Sequence, residues 1–213
     1  LLAFWHAPQL EAETANTVSD EFAQRQIGRL GVVGSNDITG PLIEESFTRL
    51  IDILDTLIMQ NGYVLGARPS SADFALFGQL TQLCQVEPTS YKVAQRRPRV
   101  RAWVDRLDDL SGLDIDDQSW LSVDETGTRL APLLAEIGRC YVPCLLANAA
   151  AIQKGEASFE TQIDGKTWTQ DIFPYQAKCL VHIREAYGAL DADSQATVDN
   201  WLAGSGCEQL LTD

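Results

Sequence analysis

The chain has 213 residues, 45% hydrophobic and 22% charged, with thirty acidic side chains against sixteen basic ones and a net charge of −14. That length holds one large domain or two small ones, and the composition is that of a chain which folds around a core. The acidic excess argues against nucleic acid and anionic membrane as partners. No uninterrupted apolar run approaches the roughly 20 residues of a membrane helix, and no basic-then-apolar leader opens the sequence. Five cysteines, Cys84, Cys140, Cys144, Cys179 and Cys207, form an odd set in a chain without a visible leader, so reduced thiols and a cytoplasmic setting are expected. The first residue is Leu1 rather than Met, which leads to the expectation that this is a processed or excised piece of something longer.

Residues 19–33 read as the first helix. Ser19 is the expected N-cap, Asp20 and Glu21 suit the first turn, and Phe22, Ala23, Ile27, Leu30 and Val33 fall on one stripe. Gly34-Ser35-Asn36 ends it. A second helix starts at Thr39 or Gly40 with Pro41 in its first turn and carries Ile43, Phe47, Leu50, Leu54, Leu57 and Ile58 to Asn61-Gly62. The two are expected to form an antiparallel pair.

The stretch PSSAD at 69–73 then separates two apolar runs. Ser70 at an N-cap can accept the N–H of Asp73 while the Asp73 carboxylate reaches back to the N–H of Ser70. Pro69 and Phe74 suit a hydrophobic staple. Phe74, Phe77, Leu80, Thr81 and Cys84, widened by Leu76 and Leu83, predict a largely buried helix. A helix that starts in the interior must satisfy its first N–H groups with side chains, because water is excluded. Ser70 and Asp73 are therefore assigned a structural capping role. The basic cluster Arg96, Arg97, Arg99, Arg101 and Arg106 reads as the solvated entrance and outer face of a further helix.

Gly66-x-x-Pro69-Ser70-x-Ala72-Asp73 ahead of an apolar helix, followed by Pro98-x-Val100-x-x-Trp103-x-x-Arg106, resembles the C-terminal, all-helical domain of the glutathione S-transferase family. With the preceding helical pair the resemblance covers about residues 19–110. It implies a mainly all-α fold in which the Ser–Asp box serves folding rather than catalysis. It also implies that glutathione is held by an N-terminal thioredoxin-like domain, which carries the residue that handles the thiol. The residues before 19 are too few for such a unit, since one βαβ needs roughly 30 residues. No catalytic residue is therefore assigned, and glutathione is expected as a cofactor only where a thioredoxin-like domain is joined as a partner. A homodimer is left open. In the family the first helix forms part of the electrophile pocket, so Phe22, Arg25 and Arg29 are candidate substrate-binding residues. Solvent-exposed pairing of the two arginines with Glu21 is the alternative.

After a polar, acidic connection at 111–121, Thr128 reads as the cap of a long helix with Pro132 in its first turn. Pro143 is expected to kink that helix. SFETQIDGKTWTQ at 158–170 alternates around Asp164-Gly165, a type I′ hairpin signal, with Phe159, Ile163 and Trp168 on one face. A two-stranded hairpin is marginal alone, so this face should pack on helix. Helices are expected at about 174–189, presenting Tyr175, Cys179, Val181, His182, Ile183, Ala186 and Tyr187, and at 193–203. The division read from this pattern is a helical domain at 1–115 and a helical extension at 116–213 with its hairpin near 158–170. The extension looks like that of some bacterial glutathione-transferase-like proteins.

Cys140 and Cys144 share a helix face, but without a ligand-spaced partner set they read as buried small residues, and no metal is assigned. His182 reads as a core or boundary residue, and His6 is uninformative. Two functions stay open. One is the helical portion of a glutathione-transferase-like enzyme, walling a hydrophobic substrate pocket. The other is a non-catalytic helical module for protein interaction or ligand binding.

Overall fold

A computed structural model describes residues 2–114, 116 and 119–212. The expectations resting on Leu1, and those parts of the 111–121 connection at Ile115, Asp117 and Gln118, lie outside the described residues. The described fold is mainly helical with one two-stranded antiparallel sheet. In chain order the elements are α1 (Leu2–His6), α2 (Ala12–Ile27), a 3-10 turn (Leu30–Val33), α3 (Gly40–Asn61), α4 (Ser71–Thr81), a π turn (Gln82–Val86), α5 (Pro88–Ala94) and α6 (Pro98–Asp108). There follow α7 (Val123–Lys154), β1 (Ser158–Ile163), β2 (Lys166–Asp171), α8 (Pro174–Gly188), α9 (Ala192–Leu202) and a terminal 3-10 turn (Cys207–Leu210).

Two hydrophobic cores share α7. The first joins Ile51, Leu54, Leu57 and Ile58 of α3 to Tyr63, Leu80, Cys84 and Ala94, and to Val100, Trp103, Val104 and Leu107 of α6, with Leu133 of α7 against it. The second joins Val142 and Leu145 of α7 to Leu180 of α8 and to Cys207 and Leu210 at the end of the chain. By length and composition α7 reaches what a membrane span needs, but it also packs against α3, α8, α9, β1 and the terminal turn. Its helix continues through Pro132 and Pro143.

The hairpin turns at Asp164 and Gly165, both at positive φ, as a type I′ turn requires. Its register pairs Phe159 with Gln170, Thr161 with Trp168 and Ile163 with Lys166. Phe159, Ile163 and Gln170 are buried, and β1 lies against α7. Gly34, at φ +73°, lies against the Trp168 ring: a Cβ there would sit 2.5 Å from the indole nitrogen. Arg68 lies over the Trp120 ring at 4.6 Å, and Leu65 and Ala67 exchange backbone hydrogen bonds with Leu121 and Ser119. The connection is thus knitted to the loop that precedes α4.

Several expectations are corrected. The first long helix begins after Glu11, so Ser19 lies inside α2 instead of capping it. α2 packs on α1, and the expected pairing with α3 is not formed. Thr39 does not cap α3 with its side chain; its hydroxyl donates to Gly34 O and accepts from Asn36 N–H, closing the preceding turn. At the start of α3, Leu42 is buried and Ile43 is exposed. α4 is buried at Asp73 and Leu80, but Phe74 is 50% exposed, so the helix is only partly interior. Thr128 lies within α7, which is capped by Ser122 and Glu125, and its hydroxyl donates to Asp124 O. On α8 the inward residues are Leu180 and Ile183, Cys179 and Tyr187 are half-buried, and Tyr175, Val181 and His182 face solvent, which overturns the core or boundary reading of His182.

Candidate functional site

The capping box sits under the first core. Asp73 is fully buried. One carboxylate oxygen accepts from the backbone N–H of Ser70 at 2.8 Å and from its hydroxyl at 2.6 Å; the other accepts from Val64 N–H at 2.9 Å. The Ser70 side chain in turn faces the N–H of Asp73, so both halves of the box are present. Asp73 thereby holds the 62–70 loop as well as the helix start. Four of the five arginines of the basic cluster are committed nearby: Arg97 pairs with Asp52 at 2.8 Å, Arg99 with Asp55 at 2.9 Å and Arg101 with Asp105 at 3.2 Å, while Arg106 lies over the Tyr63 ring.

Phe22, Arg25 and Arg29 are not gathered into a pocket. All three are exposed, Phe22 by 40%, and the one buried residue of α2 is Ala15. Beside them Phe4, Trp5, Val18, Ile27, Leu30 and Val33 are also exposed. The physical reason is the changed packing: with α2 leaning on the short α1, its stripe meets no second long helix.

The chemically organised region lies instead at the seam between α3, α7 and the hairpin. Glu136 of α7 is buried. Its carboxylate receives two hydrogen bonds from Arg49, at 2.8 and 3.0 Å, and one from the Ser46 hydroxyl at 2.9 Å. Arg49 also reaches Asp164 at the hairpin tip, and Arg139 bridges Glu136 and Asp164 at 3.6 and 3.5 Å. Burial alone would push the Glu136 carboxyl upward; the bonds from Arg49 and Ser46 outweigh it and hold the group below its ordinary range. The Glu136 hydrogen bond raises Arg49 in turn. Two cations and two carboxylates thus satisfy one another, tying three elements together.

Next to this network is a cavity of about 250 Å³, lined by Leu42, Ile43 and Ser46 of α3, Cys140, Tyr141 and Cys144 of α7, Ile163, Trp168 and Gln170 of the hairpin, and Val33 and Gln176. Its walls are mainly apolar. Cys140 donates its S–H toward Glu136 at 3.3 Å, and burial pushes its thiol above the ordinary value; burial pushes Cys144 up to about 12. These are half-buried thiols held in the protonated form, which suits a wall rather than a nucleophile. Gln170, 5% exposed, accepts from Trp168 Nε1 at 3.1 Å, and its Nε2 has no hydrogen-bond partner in the protein. Gln176 Oε1 is likewise buried without one. No group of three or more His, Cys, Asp or Glu suited to a metal occurs among the described residues.

Glu136, Arg49, Gln170 and Gln176 were not singled out by sequence reasoning. One signal was present for Gln170: hairpin parity places it on the same face as Phe159, Ile163 and Trp168, a polar residue at an inward position.

Compared with known families, residues 17–106 match the model for "Glutathione S-transferase, C-terminal domain". No curated protein and no solved structure matches the chain.

Proposed function

We propose, on the premise that residues 17–106 form a glutathione S-transferase C-terminal domain, that the chain is the helical portion of a glutathione-transferase-like protein. Its own contribution is an apolar ligand pocket, and glutathione is held by a thioredoxin-like domain outside residues 1–213. The observation that carries the pocket is the seam cavity, whose mainly apolar lining and few buried polar groups are the usual make-up of a small-molecule site. The exposed apolar side chains of α1, α2 and the following turn support a further domain, or a second copy, covering that surface. Conjugation needs a thiolate held against its electrophile. Burial raises Cys84, Cys140, Cys144 and Cys207 of this chain, so these thiols are poor candidates for that work. All five cysteines are free, which fits a reducing, cytoplasmic setting.

A conjugation assay with glutathione and chlorodinitrobenzene tests the reading. The purified chain is expected to give no glutathione-dependent turnover, and to gain it when a glutathione-binding thioredoxin-like domain is joined ahead of it. Turnover by the chain alone, lost on substitution of one of its own residues, would refute the division of labour.

A further inference from the structure

We infer that the seam cavity takes an uncharged, largely apolar molecule through a carbonyl oxygen, which accepts the free N–H of Gln170. The inference rests on the reading of this cavity as a ligand pocket and names its ligand class.

The orientation of the Gln170 amide is fixed by chemistry. Trp168 Nε1 is a donor only, so the atom it meets at 3.1 Å must be the carbonyl oxygen of Gln170. Gln170 lines the cavity, and its amide nitrogen is then a donor by necessity, buried without a protein partner. A buried donor left unmade is costly, and nearly all such groups in folded proteins are satisfied. Gln176 lines the same cavity, and its Oε1 is a second buried polar atom without a partner. Nothing comparable fixes its amide, which can turn over to offer an acceptor or a donor. A ligand must therefore bring an acceptor to Gln170 and is free at Gln176.

Charge narrows the class further. Arg49 and Arg139 are matched by Glu136 and Asp164, so the network beside the cavity keeps no charge for a ligand. A net charge of −14 disfavours an anion entering from solution. A carbonyl on a neutral apolar frame meets the donor, the walls and the field together. The volume of about 250 Å³ lies just below the roughly 300–1,000 Å³ of most small-molecule pockets and suits a one- or two-ring molecule.

The matched pair 1-indanone and indane provides the test, since the two share one ring frame and differ at the carbonyl. The full chain, labelled with nitrogen-15, is titrated with each while the Gln170 side-chain amide and the backbone of 158–171 are followed by NMR. Indanone is expected to bind about tenfold tighter than indane, the ratio for one buried hydrogen bond, and to shift the Gln170 side-chain N–H. Gln170→Leu is expected to bring the ratio to about one. Gln170→Glu keeps an acceptor for Trp168 but withdraws the donor, and is expected to lose the preference too. Equal binding of both molecules to the unaltered chain, as when a water alone occupies Gln170, overturns the ligand class and leaves the apolar pocket standing. No binding of either overturns both. A preference that survives both substitutions overturns the role of Gln170. The wild-type ratio decides even where a variant fails to fold.

Discussion

Replacing Asp73 with alanine removes one carboxylate and with it three hydrogen bonds in the interior. Two of the donors left behind are backbone N–H groups, those of Val64 and Ser70, both on buried residues. Each unsatisfied buried donor costs about 1–3 kcal/mol, so the pair sets an expected loss of about 4 kcal/mol. A helix cap in general is worth only about 1 kcal/mol. At roughly 2–4 °C per kcal/mol for a chain of this size, the thermal midpoint should fall by about 8–16 °C, read by far-ultraviolet circular dichroism. Asp73→Asn keeps one acceptor oxygen and should lose about half as much. The chain contains its own control. Ser122 and Glu125 form the same box at the start of α7, but on the surface. If burial of the donors is what counts, Glu125→Ala must be the milder change by a wide margin. Equal losses for Asp73→Ala and Glu125→Ala would refute the reasoning, because motif rather than environment would then set the magnitude.

Gly138→Ala would place a methyl 1.9 Å from Ser205 O, against backbone that cannot give way cheaply; a loss of about 1–3 kcal/mol is expected, with faster amide exchange across Cys207–Leu210. Gly34→Ala adds a side chain at φ +73° and drives it into the Trp168 ring; about 1–2 kcal/mol from the backbone alone, and a moved Trp168 indole resonance, are expected. Glu136 is held below its ordinary 4.5, so its contribution to stability is complete above that value and is lost as pH falls through the lower folded value. The difference in urea-unfolding stability between the wild type and Glu136→Gln should therefore be level near neutrality and shrink on acidification below about 4.5; a difference that grows in acid would contradict the assignment.

Local chemistry was legible where it was self-contained. Asp164-Gly165 announced its hairpin because two successive positive-φ positions favour those residues, and PSSAD announced a helix start because Ser and Asp three apart can satisfy each other's backbone. The start of α7 carried an equally readable sign, Ser122 with Glu125; the helix begins there and runs through Pro132 instead of starting beside it. α2 misled for a different reason. Its apolar residues keep helical spacing, but spacing does not say what lies opposite, and here the long helix expected there does not. The inward face of α8 was likewise set by Leu180 meeting α7, a residue that its predicted stripe left out. The cavity was illegible for the strongest reason: residues near 33, 46, 140 and 163–176 meet only through tertiary folding, and the charges that organise it, Arg49 and Glu136, are far apart along the chain.

The sharing of α7 between two cores bears on the order in which the protein is made. Most of the first core comes from residues 51–107, so it can begin to close while the remainder is still being synthesised, as domains commonly do from the N-terminal side. The second core needs Cys207 and Leu210 against Val142 and Leu145. Until Cys207 and Leu210 have left the ribosome, Val142 and Leu145 in the downstream half of α7 have only part of their cover, that from Leu180 of α8. A stop codon just before Cys207 would make that open state permanent, leaving the second core short of two buried residues and the chain open to chaperones, proteases and its own neighbours.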